Sequence, residues 1–256
     1  MTGRTKRLKI TLLVIAGILV LLIGAFLVYV SIYYHADEKS INAMTSEDAV
    51  TVTDQGKYLV FAPEQAQTGL IFYPGGKVDC KAYAPLMHLL AERNILCVVL
   101  KMPFNLAVFN PDAADGIQED YPEIQHWYLG GHSLGGSMAA LYAEKHTDAF
   151  DGLILLAAYS TADLSQSGLQ VLSIYGGNDN VLNRQKYEEN RHNLPDTLQE
   201  LVIPGGCHAY FGSYGKQSGD GEPAITPEEQ WQQTVDYIIQ KTGVGGKPGS
   251  GFFESQ

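Results

Sequence analysis

Hydrophobic and polar positions fall into three successive regimes along this chain. Residues Ile10 to Val30 form one apolar run in which Thr11 is the only polar member, and at about 1.5 Å per residue a helix of that length spans roughly 30 Å, the thickness of a bilayer core. Residues 35–48, "HADEKSINAMTSED", are polar and aperiodic, which predicts a tether. From residue 49 onward, short apolar runs alternate with amphipathic ones. "AVTVTD" and "KYLVFAP" read as a strand pair, and "TGLIFYPGG", "ILCVVLKMPF", "HWYLGG", "DGLILLAAY", "LQVLSIYGG" and "TLQELVIPGG" read as further strands. "YAPLMHLLAER", "SLGGSMAALYAEKH", "RQKYEENRHNL" and "PEEQWQQTVDYIIQKTG" read as helices, and "DAADGIQEDY" as a weak one. The closing helix carries the clearest start signal, a capping box of Thr226 and Glu229 with Pro227 at the first helical position. Trp231, Val235, Ile238 and Ile239 mark its buried face.

Strands alternating with helices predict a mostly parallel sheet covered on both faces, entered through an antiparallel pair at its N-terminal side. The division that follows is a basic N-terminus at 1–9, an anchor at 10–34, a tether at 35–48, a domain at 49–242 and a flexible tail at 243–256, whose Phe252 and Phe253 have no evident role. Arg4, Lys6, Arg7 and Lys9 precede the apolar run and Asp37 and Glu38 follow it. That asymmetry predicts a single pass through the cell membrane, with the N-terminus cytoplasmic and the domain on the outer face. A cleaved signal peptide would have an apolar region of about 7–15 residues and a small-x-small cleavage site; this run is longer and ends without one.

The chain holds 17 Lys and Arg against 28 Asp and Glu, net −11, and four of the basic residues stand in the first nine. So acidic a domain argues against nucleic acid and anionic lipid surfaces as partners. The three cysteines, Cys80, Cys97 and Cys207, allow at most one internal disulfide; Cys97 reads as a buried hydrophobe, which leaves Cys80 with Cys207 as the pair to test.

In mostly parallel sheets ligands bind beyond the carboxyl ends of the strands. There, Gly131-His132-Ser133-Leu134-Gly135 passes directly from a strand into a helix. Glycines on either side let strand and helix approach while the serine projects from a strained turn at the helix N-terminus, where a developing negative charge is favoured. A serine hydroxyl needs a base, and the base needs an orienting acid. Asp179 in "YGGNDNV" and His208 in "PGGCHAYFG" each follow a later strand, giving the order Ser133, Asp179, His208. Asp151 and Asp163 are the fallback acids. No Cys/His spacing makes a zinc site, and the chemistry requires no cofactor.

These residues resemble the alpha/beta-hydrolase family over roughly residues 50–241, within it the small cap-less branch related to dienelactone hydrolases, with serine where those enzymes look to cysteine. The resemblance implies an eight-stranded sheet, Ser133 as nucleophile, His208 as base and Asp179 as orienting acid. It also implies an oxyanion hole formed by the amide of Leu134 and one from "YPGGKVD", that of Gly76 or, alternatively, Lys77. Only "STADLSQSG" stands where many members insert a cap, so the site should be open. Two loops could roof it, "MPFNLAVFNP", in which Phe104, Leu106, Val108 and Phe109 either line an acyl pocket or pack on the sheet, and the long loop after His208. Asp220 in that second loop reads as a flexible turn rather than an ion site. The expected activity is a membrane-anchored serine hydrolase for a small-molecule carboxylic ester or related acyl substrate. An acyltransferase of the same fold and a non-catalytic binding domain are the alternatives, and the sequence sets no oligomeric state.

Overall fold

The computed structural model describes residues 3–46 and 49–244, and the tail phenylalanines lie outside them. Two compact units meet in sequence at Tyr33 and Tyr34. The first contains one helix, α1 (Gly3–Ser31). Within its stretch Lys6–Ser31 an 18-residue window has a mean hydropathy of 3.0 with none of it buried, so by length and composition the helix can cross a membrane.

The second unit is built on an eight-stranded sheet: β1 (Val50–Asp54), β2 (Tyr58–Pro63), β3 (Thr68–Tyr73), β4 (Ile95–Leu100), β5 (His126–His132), β6 (Gly152–Leu156), β7 (Gln170–Gly176) and β8 (Gln199–Ile203). The strand order is β1-β2-β4-β3-β5-β6-β7-β8. β1 with β2 and β2 with β4 are antiparallel, and every other pairing is parallel. The remaining helices are α2 (Glu38–Asn42), α3 (Ala84–Ala91), α4 (Ile117–Asp120), α5 (Leu134–Lys145), α6 (Arg184–Glu189) and α7 (Pro227–Thr242). Strand side chains alternate between faces. Leu70 and Phe72 join a core with Met87 of α3 and Trp231, Val235 and Ile238 of α7. Ile71 and Tyr73 join the opposite core with Ala139, Ala140 and Ala143 of α5. Small residues on α5 let it lie close to the sheet. α7 begins with the expected reciprocal cap, Thr226 Oγ1 accepting from the Glu229 amide and Glu229 Oε2 from the Thr226 amide.

Register brings the chemistry-bearing ends together. Tyr73 pairs with Gly131, His132 with Leu156, Leu156 with Ile174 and Gly176 with Ile203, so the carboxyl ends of β3, β5, β6, β7 and β8 form one edge.

Three local expectations need correction, and the open question of a disulfide is answered. The segment predicted as a tether contains α2, capped by Asp37, and Ser40 is fully buried in the domain. The long-range bonds responsible have no local periodicity. The helix expected in "DAADGIQEDY" is only a single turn, preceded by irregular turns. Gly116, in the left-handed conformation at φ 79°, blocks its extension toward Asp112, and one turn gains little against the cost of nucleation. Cys80, Cys97 and Cys207 are all free and buried, so the Cys80–Cys207 pair does not form. Asp220 is no flexible turn; it is tied to the loops carrying His208 and Asp179, as described next.

Candidate active site

Ser133 stands between β5 and α5 with φ 53° and ψ −123°, a backbone conformation an L residue holds only when its surroundings fix it. The surroundings are glycine. A Cβ at Gly135 would lie 2.2 Å from the Tyr73 carbonyl oxygen, and one at Gly131 would lie 2.6 Å from the Gly135 carbonyl carbon. The Ser133 amide donates to Leu156 O at 2.9 Å and its carbonyl accepts from Ser137 at 3.2 Å, which holds the turn from both sides.

Asp179 follows β7 and His208 follows β8. Asp179 Oδ1 accepts the amides of Val181 and Leu182, each at 2.8 Å. Its Oδ2 faces His208 Nδ1 at 2.9 Å, and both side chains are almost fully buried. A carboxylate so placed accepts the Nδ1 proton, leaving the Nε2 lone pair as the basic one. His208 Nε2 is buried and makes no hydrogen bond. The structure therefore unites Asp179 with His208 and makes no bond between Ser133 and His208. The ring of His132, the residue before the serine, has its centroid 4.5 Å from that of His208.

His132, inside the elbow, belongs to a buried network. The Gly75 amide donates to Tyr83 Oη at 2.8 Å, and Tyr83 Oη lies 2.8 Å from His132 Nδ1. The assignment that satisfies all three groups has Tyr83 donating to a neutral imidazole. Burial, reinforced by the nearby His208, pushes the His132 pKa well below its usual value, and burial raises that of Tyr83.

The loop expected to supply the second oxyanion donor runs beside the elbow. A Cβ at Gly76 would be 2.9 Å from Leu134 Cδ2 and 3.6 Å from Leu106 Cδ2. The Lys77 amide donates to Asn105 O at 2.7 Å, so it is already engaged. Of the apolar loop after β4, Leu106 is buried, whereas Phe104, Val108 and Phe109 are about half exposed. Phe104 and Phe109 meet edge to face at 5.7 Å.

Asp220 is a positioning residue that the sequence did not reveal. Its Oδ1 accepts the amides of His208 at 3.2 Å, Asn180 at 3.4 Å and Gly221 at 2.8 Å, and its Oδ2 that of Ala209 at 2.8 Å. One carboxylate thus joins the acid turn to the base loop. The only sequence signal is an aspartate beside glycine, which is shared by many ordinary turns. The fallback acids are elsewhere: Asp151 accepts the Trp127 amide at the opposite edge of the sheet, and Asp163 caps Ser165. Among the described residues no cluster of three or more His, Cys, Asp or Glu could hold a metal.

A nucleophile elbow and a buried Asp–His pair on one strand edge define an alpha/beta-hydrolase architecture. Residues 69–232 match the model of the alpha/beta hydrolase family, and the chain belongs to that family. Monoglyceride lipase of Mus musculus is 28% identical over 193 residues, covering 63% of this chain and 62% of that protein; the chain thus spans less than two thirds of that relative's length. Among solved structures, carboxyl esterase 2 of Tuber melanosporum superposes with a TM-score of 0.59 at 12% identity, covering 82% of this chain and 90% of that one. Est1E of Butyrivibrio proteoclasticus gives 0.53 at 13% identity, over 77% and 100%. At those identities the structures establish the fold.

Proposed function

We propose that this protein is a membrane-anchored serine hydrolase that cleaves a carboxylic ester through an acyl-enzyme. The observation carrying the reading is the buried Asp179–His208 bond at 2.9 Å on the same strand edge as a serine in a strained elbow. Ser133 Oγ attacks the acyl carbon while its proton passes to His208 Nε2, whose lone pair makes no other bond. The imidazolium, stabilised by Asp179, returns that proton to the departing alkoxide, and water releases the acid by the reverse sequence. The amides of Leu134 and Gly76 stabilise the tetrahedral oxyanion. Gly76 is preferred over Lys77 because the Lys77 amide is taken by Asn105. The lipase relative favours an acyl chain long enough to use the apolar residues beside Gly76. The length and hydropathy of α1, with the basic residues before it, support an uncleaved anchor with its N-terminus inside.

Labelling of the full-length protein in detergent with a fluorophosphonate tests this reading. The wild type is expected to label, Ser133→Ala not at all, and His208→Ala at a rate lower by about 10³-fold or more. A folded wild type that stays unlabelled refutes it and leaves a binding domain. Product analysis with an added alcohol separates hydrolysis from acyl transfer.

A further inference from the structure

We propose that residues 34–40, which follow α1 in the chain, form a positioning strap that holds the oxyanion loop in its working conformation; the inference rests on the active-site reading above. Lys77, immediately after Gly76, has φ 60°, a left-handed conformation that is strained for a non-glycine residue and persists only where neighbours enforce it. They do so from both sides. The Lys77 amide donates to Asn105 O, and its carbonyl accepts the Tyr34 amide, both at 2.7 Å. Tyr34 O then accepts the Asp79 amide at 2.9 Å, so Tyr34 pairs with Val78 as a parallel bridge. The orientation of the Gly76 amide is consequently fixed by a residue 42 positions earlier.

The same strap grips the loop that follows His208. The Asp37 amide donates to Ser213 O at 3.0 Å, and Ser213 Oγ lies 2.8 Å from each Asp37 carboxylate oxygen. Ser40 Oγ, fully buried, bonds Ser213 O at 2.9 Å and Ala82 O at 3.3 Å. Tyr34 Oη accepts the Ser218 amide at 3.1 Å, two residues before Asp220, the carboxylate that seats His208. Oxyanion loop and base loop are thus clamped by one segment that adds no strand to the sheet and whose Tyr34 and Ala36 pack only partly buried against one core. Its loss should impair turnover more than folding. Only Ile32 and Tyr33 separate the end of α1 from Tyr34, so proteolytic release of the domain by cleavage within the strap would also disable it.

The test uses full-length protein in detergent and p-nitrophenyl butyrate, with two variants. Tyr34→Pro removes the N–H given to Lys77, and Asp37→Ala removes the acceptor for Ser213. Each is expected to lower kcat by about 10-fold or more, as misplacement of a reacting group by an ångström does, with KM within about 2-fold. Affinity for a trifluoromethyl ketone, which needs the oxyanion hole, should fall with kcat. A merely structural role would move neither selectively. Tyr34→Phe, which loses only the Ser218 contact, should retain most activity. Amide exchange at Asp79 should accelerate in Tyr34→Pro. If Tyr34→Pro does not fold, Asp37→Ala decides. A folded variant that keeps kcat within about 2-fold and protects Asp79 overturns the proposal. Turnover that persists in Ser133→Ala overturns the active-site reading alone, because Asp79 exchange reports on the strap without activity.

Discussion

Replacing Tyr83 by Phe removes one oxygen from a site where two buried groups depend on it. Tyr83 Oη is the partner of the Gly75 amide and of His132 Nδ1, each at 2.8 Å, and Tyr83 is fully buried. Without the hydroxyl both groups are left unpaired. A buried polar group deprived of its partner costs about 1–3 kcal/mol, so the pair should cost roughly 2–5 kcal/mol after partial relaxation. For a domain of this size that corresponds to a fall in Tm of about 5–15 °C. Tyr73→Phe is the internal comparison. Its hydroxyl donates to Pro111 O at 2.7 Å and is less deeply buried, and its loss should cost about 1 kcal/mol, or ~2–4 °C. Thermal unfolding of both variants and wild type in the same detergent, monitored by near-ultraviolet circular dichroism, measures the contrast. A Tyr83→Phe shift no larger than that of Tyr73→Phe would refute the argument that one hydroxyl satisfies both the oxyanion loop and the histidine beside the nucleophile.

Three further outcomes follow from named contacts. Asp220→Ala frees four backbone amides across the acid and base loops and should lower kcat by about 10–100-fold, with Asp220→Asn retaining more activity because one carbonyl oxygen can still serve Oδ1's three donors; equal rates for the two would discredit the clasp. Gly135→Ala places a methyl 2.2 Å from Tyr73 O, so it should destabilise by about 3 kcal/mol or more, read as a lower urea midpoint. The pKa of His132 is held well below 6.5 by burial and by His208, so below about pH 6.5 the unfolded chain takes a proton that the folded one refuses. Stability is therefore full above that pH and falls as pH is lowered toward the folded pKa, by up to ~1.4 kcal/mol per pH unit from this group. The decline in urea midpoint between pH 6.5 and 5.5 should be smaller in His132→Gln, and an identical decline would refute the assignment.

What could be read from the sequence was whatever leaves a local period. The apolar run Leu70 to Tyr73, the helical face of Trp231, Val235 and Ile238, and the Thr226–Glu229 cap each resolve within a few residues, and each is found where the pattern put it. The placement of Ser133, Asp179 and His208 at the ends of β5, β7 and β8 was legible for a related reason, since strand ends are marked by glycines; their catalytic roles belong to the proposal above. Their bonding was only partly legible. The sequence could place Asp179 near His208 but could not reveal that both Asp179 oxygens are occupied, one by backbone amides and one by the imidazole.

The residues that escaped reading act across large separations with side chains of ordinary composition. Asp220 resembles a turn aspartate, Tyr83 a core tyrosine, and Ser40 a linker serine, and nothing within ten residues of any of them distinguishes these roles. Each nonetheless joins segments that the proposed mechanism requires to be mutually fixed, so that a proton can pass from one strand end to another. The sheet sets the strand ends to within its register, a few ångströms at best, whereas proton transfer requires heavy atoms within about 3 Å. The remaining precision has to come from bonds between loops: Asp220 between the acid and base loops, Tyr83 between the oxyanion loop and His132, and the strap at Tyr34 between the oxyanion and base loops. If this division of labour is correct, Asp220→Ala, Tyr83→Phe and Tyr34→Pro should reduce kcat in variants whose sheet remains intact, while core substitutions such as Ile71→Val should lower stability by about 1 kcal/mol and leave the kcat of the folded fraction unchanged.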